Sequence, residues 1–266
     1  MTNYQARRPC AICGTASKSK HYCSDNSLEY VKCDTCQLMY VDNFAENEEM
    51  YKAYSGGGFK SLRRKLFAPI RSMRSIKGYT HFLQRARGIF SFTKQYVSSS
   101  GKKTYLDIGC NKGFLLAAAI EEDCDVYGVE LVTELIRPFC NTYPEFKDHV
   151  FSDKFQDVAK RFGDAHFDII TAIDVVEHFE DPLSDLREVH RILKDDGAFV
   201  IQTPDADCEK AKTLECNWGA LKALEHLHLF GKKNFIAFGK KAGFSEVNIY
   251  DPFEEADGNF VAVLKK

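Results

Sequence analysis

The sequence predicts an α/β fold: a doubly wound, mainly parallel sheet with an antiparallel strand at its C-terminal edge, preceded by a small cysteine-rich N-terminal module. Three observations predict it. From Thr104 onward, short apolar runs alternate with stretches of helical periodicity. A glycine-bearing turn, Gly109 to Gly113, follows the first of those runs. Four of the ten cysteines fall as two CxxC pairs in the first 36 residues. A chain of 266 residues, 44% hydrophobic and 28% charged, is long and apolar enough for one large domain with a smaller module, which excludes disorder as its main state.

The first module covers residues 1–45. Its pairs are Cys10/Cys13 in CAIC and Cys33/Cys36 in CDTC, with 19 residues between Cys13 and Cys33. Each pair forms a tight knuckle whose two thiolates face one ion, and this separation brings two knuckles together across a short hairpin. Gly14 suits the knuckle turn, and LEYVKC reads as the strand that delivers the second pair. Cys10, Cys13, Cys33 and Cys36 would close a tetrahedron around Zn2+, leaving no open position, so the zinc is expected to be structural. Cys23 reads as a spare thiol. Cys110, Cys124, Cys140, Cys208 and Cys216 show no ligand spacing and read as small buried hydrophobes.

Residues 46–103 form a basic helical connector or lid. The chain's net charge of −2 conceals two opposed blocks, because thirteen Lys and Arg and no acid lie between Glu49 and Asp107, leaving that interval at +13 and the rest at −15. SGGGF punctuates the connector, and Leu62, Leu66, Ile70 and Met73 are spaced for one helical face. No stretch approaches the roughly 18 apolar residues of a membrane span, and MTNYQARRPC lacks the apolar stretch of a signal peptide. The expected compartment is the cytoplasm, where cysteines serve as thiols or metal ligands and not as a disulfide framework.

Residues 104–266 are the core. TYLDI and DVYGVE are strands around the helical FLLAAAI; FDIITAID and GAFVIQT are strands around a helix carrying Leu183, Leu186, Val189 and Leu193. VNIY and FVAVLKK form a pair at the sheet edge. Glycines in LDIGCNKGFLL let the backbone approach a ligand closely, and Glu130, ending the next strand, is placed for ribose hydroxyls. A nucleoside-type cofactor is implied, and the spacing of Gly109 and Gly113 departs from the dinucleotide fingerprint.

At LDIGCNKG, VYGVE, FDIITAIDVVEHFEDP, LREVHRILKDDG with AFVIQTP, and EHLHLF followed by FGKKAGF, the chain resembles the class I S-adenosylmethionine-dependent methyltransferases, whose sheet is Rossmann-like. The resemblance spans most of residues 104–266. It implies that Asp107, Gly109 and Gly113, with Cys110 and Asn111 in the same loop, line the methionine side of S-adenosyl-L-methionine. By the same resemblance Glu130 takes the ribose hydroxyls, Leu131 covers the adenine, Asp153 sits near the adenine amine, and Asp174 borders cofactor and substrate. The family usually has Gly where Asn111 stands, and Asn tolerates a left-handed backbone better than most residues.

Transfer to a hydroxyl, or to a carbon beside a carbonyl, needs a base. Candidates are His226, with neighbouring Glu225 to orient it or raise its basicity, and His228; the alternative is that these histidines pack a loop. Glu177 and His178 either act at the site or orient the following helix. The cysteine module ahead of the core and the EH-x-x-x-F segment resemble methyltransferases of nucleotide-linked sugars, implying a Glu225/His226 acid/base pair. Their C-methylating members carry a further C-terminal domain not matched after Lys266, so O-methylation of a sugar or surface-glycan component is expected. The basic connector suits an acceptor carrying phosphate. The alternatives are a ribosomal or transfer RNA methyltransferase, its phosphate contacts supplied by the basic segment with interleaved aromatics such as Phe82 and Tyr96, or a catalytically silent adaptor.

Overall fold

The computed structural model describes residues 8–14, 19–25, 28–42, 72–98, 100–254 and 258–266. Its larger sheet has seven strands: β4 (Thr104–Ile108), β5 (Asp125–Val129), β6 (Val150–Phe151), β7 (Phe167–Ile173), β8 (Leu193–Pro204), β10 (Glu246–Tyr250) and β11 (Asn259–Lys265). They run in the order β10-β11-β8-β7-β4-β5-β6. The β4–β5, β5–β6, β4–β7 and β7–β8 pairs are parallel, while β11 is antiparallel to both β8 and β10. The expected parallel sheet with an antiparallel C-terminal edge is therefore present. Strand order reverses at β4, so a crevice opens beyond the carboxyl ends of β4 and its neighbours, where ligands of open α/β sheets bind.

Alternation along β4 divides the core in two. Leu106 and Ile108 join one buried cluster with Ile170, Phe199 and Phe230, whereas Tyr105 joins the other with Leu116, Phe139 and Ile169. Successive strand residues point to opposite faces, so helices must cover both. The helices are α1 (Tyr79–Thr93), α2 (Phe114–Glu121), α3 (Thr133–Thr142), α4 (Phe155–Ala159), α5 (Pro182–Ile192), α6 (Glu209–Leu214) and α7 (Lys232–Ala242). Pro182 opens α5 where its missing N–H costs nothing, and the Asp181 carboxylate accepts from Ser184 N at 3.2 Å.

A second sheet contains β1 (Ser19–Asp25), β2 (Leu28–Cys33), β3 (Met39–Val41) and β9 (His228–Leu229), in that order. Met39 pairs with Leu229 and Tyr40 with His228. The N-terminal module thus takes its fourth strand from the segment between β8 and β10. Tyr30, Met39 and Val41 bury their side chains with Trp218, Leu227 and Leu229, because three short strands have no apolar layer of their own to cover that face.

Residues 43–71 lie outside the described residues, and with them the helical face of Leu62, Leu66 and Ile70 and the basic Arg63, Arg64 and Lys65. Further on, α1 packs Leu83, Ala86 and Phe90 into the cluster around α2. Cations of α1, and Lys94 just after it, meet acids of the core: Arg85 with Glu254 (2.6 Å), Arg87 with Glu121 (2.6 Å) and Lys94 with Glu122 (2.7 Å). In this part the two charge blocks neutralise each other.

The cysteine expectations need one correction. Cys23 and Cys216 are joined by a disulfide across 193 residues of chain, so Cys23 is not a spare thiol and the exposed Cys216 is not a buried hydrophobe. Such a pair comes together through the packing of β1 against the segment after α6, and no local spacing announces it. Among the described residues no helix is long and apolar enough to cross a membrane.

Candidate functional site

The turn after β4 is shaped by three left-handed residues, Gly109 (φ 72°), Asn111 (φ 48°) and Gly113 (φ 75°). A Cβ on Gly109 would lie 2.4 Å from Val175 Cγ2, and one on Gly113 would lie 2.6 Å from the Phe139 ring, so both positions require the missing side chain as well as the backbone freedom. Asn111 accepts the left-handed conformation with its side chain exposed. Gly109 N and Cys110 N both donate to Val129 O, at 2.8 and 2.9 Å, lashing the turn to the end of β5.

Glu130 completes this lashing. It is 6% exposed; one carboxylate oxygen accepts from Asn111 N and the other from Val132 N, each at 2.9 Å. Burial raises its pKa, against the pull of these two amides. Asp107 lies deeper. Thr171 donates its hydroxyl to Asp107 Oδ1 at 2.6 Å and receives that of Tyr105 at 2.6 Å. Burial pushes the Asp107 carboxyl up to about 7, with Thr171 opposing and Glu130 adding to the shift.

Beyond the strand ends is a cavity of about 700 Å³, within the usual range for small-molecule sites. Gly109, Val129, Glu130, Leu131, Asp153 and Phe155 line it, as do His178, Glu225 and His228. Asp153 pairs with Arg161 at 2.7 Å, and Leu131 is exposed on the rim. Asp107, Cys110, Asn111, Gly113, Asp174 and His226 are not among the lining residues. Asp174 has a left-handed backbone (φ 56°) and accepts from Gln202 Nε2 and Asn259 Nδ2, each at 3.2 Å. Cys110 is buried behind the turn, where a Cβ on Gly128 would come within 2.8 Å of its sulfur.

Three histidines lie in this region. His178 Nδ1 and Glu225 O are 2.7 Å apart, His226 Nδ1 and Ala220 O 2.8 Å, and His228 Nδ1 and Phe179 O 3.1 Å. Each carbonyl requires the ring nitrogen to donate, which in neutral His226 and His228 leaves Nε2 as the acceptor, while His178 also meets the Asp174 main chain. The His178 and His226 rings stand edge to face with centroids 4.8 Å apart. Burial, reinforced by neighbouring His178, holds His226 down to about 3, and burial likewise lowers His178. The expected carboxylate–imidazole pair is absent: the Glu225 carboxylate faces Lys222 at 3.9 Å, and it is the Glu225 main-chain oxygen that orients His178. Adjacent residues in an irregular segment need not point the same way.

The sequence leaves Glu177 between acting at the site and orienting the following helix. It is buried, accepts from the Thr203 hydroxyl at 2.9 Å, and is pushed up to about 8 by burial and by Asp174. Ligand atoms of Glu177, His178 and His226 lie within 4.8 Å of one another. The share of the N-terminal segment in the cavity was also missed. Arg8, Cys10, Ala11, Gly14, Tyr40 and Lys241 line it as well, and nothing in their local sequence links them to the glycine turn.

The four cysteines do meet. Cys10 Sγ and Cys36 Sγ are 3.4 Å apart, Cys13 Sγ and Cys33 Sγ 3.8 Å, and all four sulfurs fall within 4.8 Å of one another. A tetrahedron with Zn–S bonds of about 2.3 Å has edges of about 3.8 Å, so the donor set and its size fit one zinc ion.

The methyltransferase domain family matches residues 79–249, well over half of the chain. The chain belongs to this methyltransferase family. A ubiquinone biosynthesis O-methyltransferase of Pectobacterium atrosepticum is 29% identical over 150 residues, 55% of this chain and 53% of that protein. Its counterpart in Actinobacillus pleuropneumoniae is 27% identical over 143 residues, 52% of this chain and 56% of that protein. The chain therefore spans about half the length of these curated relatives. Among solved structures, a Burkholderia thailandensis 1,6-didemethyltoxoflavin-N1-methyltransferase with bound S-adenosylhomocysteine superposes with a TM-score of 0.57 at 17% identity, covering 94% of this chain and 99% of that one. A SAM-dependent methyltransferase from Archaeoglobus fulgidus gives 0.53 at 17% identity over 69% of this chain and 94% of that one. These likenesses establish the class I methyltransferase fold. They do not carry the sugar acceptor, since the curated relatives are named for ubiquinone biosynthesis.

Proposed function

We propose that this methyltransferase uses S-adenosyl-L-methionine to methylate a hydroxyl group of a small-molecule acceptor. The observation that carries the reading is that Gly109, Glu130 and Asp153 line the same cavity as His178 and His228. The cofactor supplies an electrophilic methyl group on a sulfonium. Gly109 lets the main chain approach it, with Asp107, Cys110, Asn111 and Gly113 shaping the turn. Each Glu130 oxygen accepts one amide and keeps a further lone pair for a ribose hydroxyl. Leu131 and Asp153 bound the adenine, and Asp174 borders the acceptor.

The histidines that reach the cavity are His178 and His228, with His226 edge to face against His178, and the base is His228. Its ring, held neutral by burial and with Nδ1 committed to Phe179 O, presents Nε2 to take the hydroxyl proton as the new bond to the methyl carbon forms. Positioning accounts for most of the acceleration in such an in-line displacement. Zinc on Cys10, Cys13, Cys33 and Cys36 is structural, because four thiolates leave no position for a substrate.

The relatives named as O-methyltransferases support a hydroxyl acceptor, and the N-terminal cysteine module keeps a sugar hydroxyl as the more specific reading. RNA is less favoured, because Arg85, Arg87 and Lys94 are occupied by core acids. Transfer of radiolabelled methyl from S-adenosyl-L-methionine, measured in parallel on phenolic and catechol hydroxyls, nucleotide sugars and total RNA, tests the reading. Labelling of a small hydroxyl acceptor is expected; labelling of RNA alone would overturn it.

A further inference from the structure

The N-terminal module contributes to the cavity. Arg8, Pro9, Cys10, Ala11 and Gly14 line the same cavity as Gly109, Leu131 and Asp153; Cys10 and Ala11 belong to the first cysteine knuckle, and Pro9 and Gly14 adjoin it. The knuckle closes through Gly14 N donating to Cys10 O at 2.7 Å. Its shape is thus set by the residues that hold the four sulfurs together.

The knuckle is also fastened to the core. Lys241 Nζ, from α7, donates to Ile12 O. The Tyr40 hydroxyl donates to Arg8 O at 3.2 Å, Arg8 N donates to Asp42 Oδ1 at 2.8 Å, and the Arg8 guanidinium reaches Glu180 O at 3.4 Å. Cys10, Ile12, Cys33 and Leu38 pack in one apolar cluster with Phe155 and Phe179, which themselves line the cavity. Without an ion, four thiols at these separations are held by weak S–H contacts; with it, the knuckle is rigid. A ligand in the cavity and a metal on the sulfurs therefore share the same short segment.

We infer that zinc binding at Cys10, Cys13, Cys33 and Cys36 and cofactor binding in the cavity are thermodynamically coupled through the Arg8–Gly14 segment, each strengthening the other. The inference rests on the cofactor and zinc assignments proposed above. It treats the module as part of the cofactor site and not as an appended stabilising unit. Coupling of two ligands is reciprocal, so the same factor must appear in both affinities.

The test uses the whole zinc-loaded protein. Equilibrium competition with a chromogenic chelator measures zinc affinity with and without saturating S-adenosylhomocysteine, and titration calorimetry confirms that S-adenosylhomocysteine binds. Zinc affinity is expected to rise by about fivefold or more when S-adenosylhomocysteine is bound. The rise is expected to vanish in Glu130→Ala, which leaves the cysteines untouched and removes a cofactor contact. Measurable zinc and S-adenosylhomocysteine binding with unchanged zinc affinity overturns the coupling alone. Absence of either ligand overturns the coupling together with the assignment it rests on. The metal-free form is part of this equilibrium, so circular dichroism is recorded alongside: a rise in zinc affinity that accompanies loss of fold on zinc removal would be folding linkage and would overturn coupling through the segment.

Discussion

Glu130 Oε2 accepts the main-chain N–H of Asn111 at 2.9 Å, so the acid at the end of β5 also holds the turn after β4. Glu130→Ala should therefore do more than delete one ribose contact. Affinity for S-adenosylhomocysteine, measured by calorimetry, is expected to fall by tenfold or more, consistent with about 1.5–3 kcal/mol for hydrogen bonds to a charged group. An unchanged dissociation constant would remove Glu130 from the cofactor site.

Gly113 tests the packing of the turn against α3. An alanine there combines a positive φ with a Cβ 2.6 Å from the Phe139 ring, and the ring is fully buried and cannot retreat. Gly113→Ala should destabilise the fold by about 2–4 kcal/mol in chemical denaturation. Asn111→Gly should change stability little, since the backbone there is already left-handed.

Glu177 predicts a pH dependence. Its carboxyl titrates near 8 in the fold and at an ordinary carboxylate value when unfolded, so between about pH 5 and 8 the folded state binds more protons and stability falls as pH rises. In Glu177→Gln this part of the fall should disappear. The difference between the variant's and the parent's change in unfolding free energy over that interval is expected to be about 2–4 kcal/mol. Identical pH profiles would show that Glu177 is not held protonated.

His228 predicts a kinetic profile. With the ring held down to about 3 by burial, the acid limb of kcat/KM should not show a histidine titrating near 6.5. His228→Gln is expected to lower kcat by about a hundredfold or more with cofactor affinity retained. Full turnover in that variant would place the base elsewhere.

The disulfide predicts a redox-dependent difference. Cys216→Ser should lower the thermal midpoint of the oxidised protein, because the link between Cys23 and Cys216 restricts a very long loop in the unfolded chain. Under a strong thiol reductant, parent and variant should melt together. A difference that persists after reduction would mean that the serine, and not the lost bond, is responsible.

Much of this molecule is written locally. Most strands from TYLDI to FVAVLKK follow from short apolar runs, though the two-residue β6 and the start of β8 at Leu193, which the periodicity assigns to the preceding helix, do not; the Gly109–Gly113 turn and Glu130 follow from their positions at strand ends. The cysteine cluster follows from two CxxC spacings. Other features have no local signature. Glu225 and His226 are neighbours in sequence, yet their side chains bond to different partners, because direction in an irregular segment is set by what packs around it. The placement of β9 beside β3, which joins the module to the core, depends on two residues too short to announce a strand.

Residue type and spacing were sufficient for the α/β class, the antiparallel edge, the methyltransferase resemblance and the four-sulfur set, since each depends on interactions among residues close in the chain or on a repeating period. Packing over long separations settled the rest. It brought Arg8–Gly14 to the cavity of Glu130, joined Cys23 to Cys216, and buried Glu177 and His226 deeply enough to shift both away from their ordinary titration. Burial and cross-chain contact are properties of the folded surface and have no period along the sequence.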